Sequence, residues 1–203
     1  MYARSTTLRG RPEIVDDFTA FMRDEVVPTV TGLDGCVGLS LLIDHDGRGI
    51  ATSAWETEAA MRASAERVAE LRERAVVTFG VTSEVQDWEI AVLHRAHRNG
   101  ACARVTWTRT SPAQLDREIE AYRESLMPWW EGTPGFCSNS LLVNRADGRC
   151  VSTIVFESFE AMAHTRDQFT TLREEFARRM GMDLLEVAEF DLVLAHLRVP
   201  ETV

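Results

Sequence analysis

Apolar and polar positions along this chain switch between a period of two and a period of about 3.6, and they do so in the same order twice. Residues 36–43 and 136–143 read as strands. In the first, Val37, Leu39, Leu41 and Ile43 fall on one face and Cys36, Gly38, Ser40 and Leu42 on the other. Ahead of each strand lies helical spacing: Ile14, Phe18 and Phe21 or Met22 in the first copy, Leu115, Ile119, Tyr122 and Leu126 in the second. Ser111-Pro112-Ala113-Gln114 combines an N-cap serine, a proline at the first helical position and a capping-box glutamine, whereas Arg11-Pro12-Glu13 keeps only the proline and an acid. Pro28 and Pro128 are expected at or beyond the end of these helices.

Asp46-Gly47 and Asp147-Gly148 read as hairpin turns into third strands, Ile50 to Glu56 and Val151 to Glu157. Thr57 and Ser158 then open a long second helix. Its stripe runs Met61, Ala65, Val68, Leu71, Ala75 in one copy and Met162, Thr165, Phe169, Leu172, Phe176 in the other, where Gly181 marks the stop. First strands at Tyr2 to Leu8 and Cys102 to Thr108, and last strands at Trp88 to Arg95 and Phe190 to Leu197, complete the order β-α-β-β-α-β. That is the ferredoxin-like split unit.

The two copies are a duplication. A shift of 100 residues lays Ala3, Arg4, Thr6, Arg9 and Pro12 on identical residues at 103, 104, 106, 109 and 112. One further residue aligns Leu71, Arg72 and Glu73 with 172, 173 and 174, and another aligns His94 with His196. Two modules are therefore expected, residues 1–98 and 101–203, joined near Arg98 to Ala101. A four-stranded sheet with two helices on one face leaves its other face bare, and the tandem partner is the obvious cover. The expected fold is α+β: two sheets packed within one chain as a barrel with helices outside.

A formal net charge of −10 and a pI near 5.0 argue against nucleic-acid or anionic-membrane partners, which need a concentrated basic field. No apolar run reaches the roughly 20 residues of a membrane helix, and the first residues lack a signal peptide's apolar stretch, so a cytoplasmic protein is expected. Cys36, Cys102, Cys137 and Cys150 form no C-x-x-C pair and do not recur between copies, which favours reduced buried thiols over a metal site or disulfide framework.

Trp55-Glu56-Thr57-Glu58-Ala59-Ala60-Met61 and its counterpart Phe156-Glu157-Ser158-Phe159-Glu160-Ala161-Met162-Ala163-His164 run from third strand into second helix. With the repeated topology, this step resembles the antibiotic-biosynthesis-monooxygenase-like group of dimeric α/β barrels. In that group two identical subunits usually make the barrel, so this chain reads as a fused pseudo-dimer, with further pairing of two chains through outer helices or strand edges left open. The resemblance implies a range of activities: cofactor-free oxygenation of aromatic or quinone-type molecules, haem degradation, or no catalysis.

On that reading His164 and His196 are the candidate bases, with Trp55, Trp107, Trp129 and Asn139 as candidate walls of a pocket for a small apolar or aromatic molecule. Trp107, Trp129, Trp130 and Asn139 replace Thr7, Thr29, Val30 and Leu39, an asymmetry that favours the C-terminal copy as the ligand site. The alternatives are a non-catalytic binding or assembly module whose interior is filled by side chains, and a haem protein. The haem pattern fits poorly, because it asks for a first-strand Asn, absent from both copies, and splits its Trp and His between halves as Trp55 and His164. Arg4, Arg104, Glu56, Glu157, Glu89 and Asp191 sit on strands and are expected in structural salt bridges.

Overall fold

The computed structural model describes residues 1–95 and 100–197; of the expected junction from Arg98 to Ala101, Arg98 and Asn99 lie outside them. The first copy forms β1 (Tyr2–Arg9), α1 (Val15–Phe21), α2 (Val27–Thr31), β2 (Cys36–Ile43), β3 (Arg48–Trp55), α3 (Glu58–Ala63), α4 (Ala65–Phe79) and β4 (Thr82–Arg95). The second forms β5 (Cys102–Arg109), α5 (Leu115–Ala121), α6 (Met127–Glu131), β6 (Phe136–Val143), β7 (Arg149–Phe156), α7 (Phe159–His164), α8 (Arg166–Met180) and β8 (Asp183–Leu197). Strand order is β1-β3-β2-β8-β5-β7-β6-β4, a closed barrel, so the chain has the α+β barrel fold that its pattern predicts.

Contacts divide the chain into two compact units: Met1–Trp88 with the stretch from Asp191, and Glu89–Phe190. In the N-terminal unit β3 lies antiparallel between β1 and β2, and the second half of β8 closes the other edge of β2, with Leu39 opposite His196 and Leu41 opposite Leu194. In the C-terminal unit β7 lies between β5 and β6, and the second half of β4 takes the corresponding edge, with Ile90 opposite Leu142 and His94 opposite Asn139. Each last strand thus starts in one unit and ends in the other.

Local chemistry explains most of the boundaries. Gly47 and Gly148 turn the hairpins with φ +82 and +71. A Cβ at Gly148 would lie 1.9 Å from the Thr110 carbonyl oxygen, so only glycine fits there. Thr57 and Ser158 cap their helices, each side chain accepting from a backbone N–H three residues on, Ala60 and Ala161, at 3.1 Å. Ser64 and Thr165 interrupt the second helix of each copy, their hydroxyls donating back to the Met61 and Met162 carbonyls at 2.7 Å.

Three boundaries depart from the pattern. Strands β4 and β8 begin at Thr82 and Asp183, well ahead of Trp88 and Phe190. The added residues are mostly polar, and Leu184 and Leu185 among them are exposed, so no buried face marks them in sequence. Pro28 and Pro128 do not end the first helix but lie within α2 and α6, which follow π-helical turns at Met22–Val26 and Tyr122–Leu126. A wider turn before the proline relieves the clash of its ring with the preceding turn's carbonyl. Ser111 makes no side-chain cap; the helix enters instead through a 3-10 turn at Pro112–Gln114.

Candidate ligand cavity

In the N-terminal unit, β1 to β3 face α1, α2 and α4 across a core that contains Phe18, Met22, Leu39, Leu41, Trp55 and Leu71. Between these layers is a cavity of about 50 Å³. Thr6, Leu39 and Ser53 line it from the strands; Phe18, Val30, Val68 and Ala75 line it from the helices. Two cations reach it, Arg4 from β1 and Arg72 from α4.

The polar groups at this cavity differ in how far they are satisfied. Arg4 is almost fully buried; its Nε and Nη2 donate to the two carboxylate oxygens of Asp87 at 2.7 and 3.0 Å, and its Nη1 donates to the Met61 carbonyl at 3.2 Å. Such a bidentate pair balances a buried charge. Ser53 accepts from the Trp55 indole N–H at 3.0 Å and donates to the Arg4 carbonyl at 3.4 Å. Arg72 is half-buried and has no hydrogen-bond or ion-pair partner among the described residues.

At the same positions the C-terminal unit is built differently. Val30, Val68 and Ala75 correspond to Trp130, Phe169 and Phe176, all buried in one core cluster. Met22, Leu39 and Ala51 correspond to Tyr122, Asn139 and Ser152, which bond to one another: the Tyr122 hydroxyl lies 2.7 Å from Ser152 Oγ and 2.7 Å from Asn139 Nδ2. Burial pushes the Tyr122 hydroxyl up to about 12. Phe18 corresponds to Glu118, which is 2% exposed, with Oε2 lacking a hydrogen-bond partner. Burial pushes its carboxyl up to about 7, against a weaker opposite pull from Cys150 and Thr110.

The residues nominated from sequence are dispersed. Trp55 is wholly buried in the N-terminal core. Asn139 belongs to the Tyr122 network, and Trp107 packs edge-on against Phe190 at 6.3 Å between centroids. His196 is exposed on β8. Trp129 and His164 do meet, at an open groove of about 790 Å³ that Glu157 and Gln168 also line. His164 is exposed there, its Nδ1 2.9 Å from the Glu160 carbonyl oxygen. Of the charges expected on strands, Arg4 pairs with Asp87, Arg104 with Glu189 and Glu89 with Arg145, whereas Glu56 and Glu157 lie just past the ends of β3 and β7, and Glu56 and Asp191 are exposed. Arg72 and Val68 escaped notice as site residues, although the exchange of Val68 for Phe169 and of Ala75 for Phe176 within one stripe was the signal for a void.

Haem does not fit this cavity. Its lining offers the thioether of Met22 but no imidazole, thiolate or phenolate as an axial ligand, and its volume is far below that of a macrocycle. Among the described residues no group of three or more His, Cys, Asp or Glu could hold a metal ion, and no helix is long and apolar enough to cross a membrane.

Two β-α-β-β-α-β repeats whose strands close one barrel give this single chain the fold of a dimeric α/β barrel. The chain belongs to the family of two uncharacterized proteins of Mycobacterium tuberculosis H37Rv, Rv2557 and Rv2558. It is 50% identical to the first over 206 residues and 51% identical to the second over 207, covering all of this chain and 92% and 88% of theirs. No family model matches the chain. Among solved structures it is similar to an anthrone oxidase-like protein, with TM-score 0.67, 14% identity and coverage of 99% of this chain and 95% of that one. It is similar also to LmHde, a heme-degrading enzyme of Listeria monocytogenes, with TM-score 0.56, 9% identity and coverage of 95% and 99%. A ferredoxin-fold protein of the same organism, related to antibiotic biosynthesis monooxygenases, matches with TM-score 0.56, 7% identity and 95% of each chain. At these identities the likeness is one of fold.

Proposed function

We propose that this chain binds a small aromatic molecule, and that the seat is the helix-to-sheet cavity of the N-terminal unit. The observation that carries the reading is the lining: apolar walls from Phe18, Leu39, Val30 and Val68 with a few polar groups from Thr6, Ser53 and two arginines, the composition expected of small-ligand sites. At about 50 Å³ the cavity is well below the roughly 300 Å³ at the lower end of drug-sized sites. The ligand is therefore no larger than about one ring, admitted by movement of the partly exposed walls Phe21, Val68 and Arg72.

Cofactor-free oxygenation of a phenol needs a base against the hydroxyl. Neither a carboxylate nor an imidazole is among the residues that line the cavity, so the arrangement supports binding rather than deprotonation. The test is a titration of methyl-labelled protein with phenol, followed by NMR. Saturable shifts of the Val30, Val68 and Leu71 methyl signals, absent from a Val68→Phe variant, are expected. Shifts that never saturate, or that survive Val68→Phe, overturn the proposal.

A further inference from the structure

We infer that the cavity's ligand is a monocyclic aromatic anion, its ring held between the guanidinium groups of Arg4 and Arg72 and its negative group on Arg72; this inference rests on the binding function proposed above. The C-terminal unit already contains the arrangement, made from its own side chains. The Phe169 ring lies under two cations, with the Arg104 guanidinium carbon 5.1 Å and that of Arg173 5.2 Å from its centroid. Both distances are within cation-π range.

Arg4 and Arg72 are the counterparts of those arginines, and both line the N-terminal cavity. The place of Phe169 is taken by Val68. The N-terminal unit thus keeps two guanidinium groups and lacks the ring between them. A ligand ring in that place would restore the stack that the other unit makes for itself.

Charge defines the rest of the ligand. Arg4 is neutralised by Asp87 and needs no further anion. Arg72 has no such partner among the described residues, and a half-buried cation beside apolar walls is costly until one is supplied. Arg173 meets the same environment, where burial pushes its pKa down and leaves its Nε without a partner, and there the ring of Phe169 offsets the cost. With the chain carrying a net charge of −10, attraction of an anion must come from a local group such as Arg72.

Benzoate and benzyl alcohol separate ring from charge, and both are titrated against methyl-labelled protein. Wild type is expected to bind benzoate about tenfold more tightly, the usual advantage of a charge-assisted hydrogen bond. Arg72→Gln should bring the two within about twofold, because benzyl alcohol loses one side of the stack and benzoate loses that side and its counter-charge, and an unchanged denaturation midpoint reports an intact fold. Val68→Phe, which supplies the missing ring from the protein, should abolish both. Equal affinities in wild type, or a benzoate preference that survives Arg72→Gln, overturn the anion assignment and leave the binding function standing. No saturable binding of either compound, or undiminished binding to Val68→Phe, overturns both.

Discussion

Where the N-terminal unit carries Val30, Val68 and Ala75 between its sheet and helices, the C-terminal unit carries Trp130, Phe169 and Phe176; where the first has Met22, Leu39 and Phe18, the second has Tyr122, Asn139 and Glu118. The backbones run through the same elements, with the same caps, π-helical turns and hairpin glycines. Duplication has kept everything that defines the path of the chain. What diverged is the filling: one interior retains a void edged by cations, the other closes on aromatic rings and a hydrogen-bonded polar network. A cavity survives only where side chains stay small, and the unit richer in aromatics is the one that has closed.

That contrast can be broken most sharply at Phe169. Phe169→Ala removes the ring between Arg104 and Arg173 and should lower stability by about 3–5 kcal/mol in denaturant titration. Val68→Ala, at the edge of an existing void, should cost about 1 kcal/mol or less. Equal losses at the two sites would mean that the N-terminal interior is as tightly filled as the C-terminal one.

Next comes Glu118. Its carboxyl is raised to about 7 from 4.5, so the native state holds a proton that the unfolded chain has already released. Stability should therefore fall as pH rises through that window and level off above it. Wild type should lose about 3 kcal/mol more than Glu118→Gln between acidic and mildly alkaline buffer, measured as denaturation midpoints. Matching pH profiles would show that the carboxyl is not desolvated.

Asn139→Leu, which introduces the residue of the first copy, removes a partner from the buried Tyr122 hydroxyl and should cost about 1–3 kcal/mol. Adding Tyr122→Met and Ser152→Ala, which completes the exchange for the first copy's residues, should recover part of that loss, because no hydroxyl of the network remains. The smallest effect is expected at the groove: His164→Ala, on an exposed side chain, should change stability by less than about 0.5 kcal/mol and leave benzoate binding unaltered.

Much of the architecture was legible from the chain. Duplication, the Asp-Gly hairpins, the caps at Thr57 and Ser158 and the apolar stripes all have local causes, and local causes leave marks at fixed spacing. The early starts of β4 and β8 left none, because Thr82 to Asp87 carry no buried alternating face. Continuation of the helices through Pro28 and Pro128 was hidden for another reason: a π-helical turn depends on packing and has no residue signature of its own.

The site was harder still. Unusual residues drew attention to Trp129, Asn139 and His164, whereas the cavity is made by ordinary small ones, Val68 and Ala75, whose meaning appears only against their larger counterparts. Arg72 looked like one more conserved pair within the repeat. Its lack of a partner among the described residues is a matter of three-dimensional placement.

The crossing of β8 also bears on how the chain is made. The open edge of β2, with Leu39 and Leu41, is covered only when His196 and Leu194 arrive, in the last strand of the second repeat. At bacterial elongation rates of about 5–20 residues per second, the roughly 150 intervening residues take about 8–30 s to synthesise. Once Phe79 completes α4 the nascent N-terminal unit has its helices but still an unpaired apolar edge on β2, so its folding waits on the last strand of the second repeat rather than on its own.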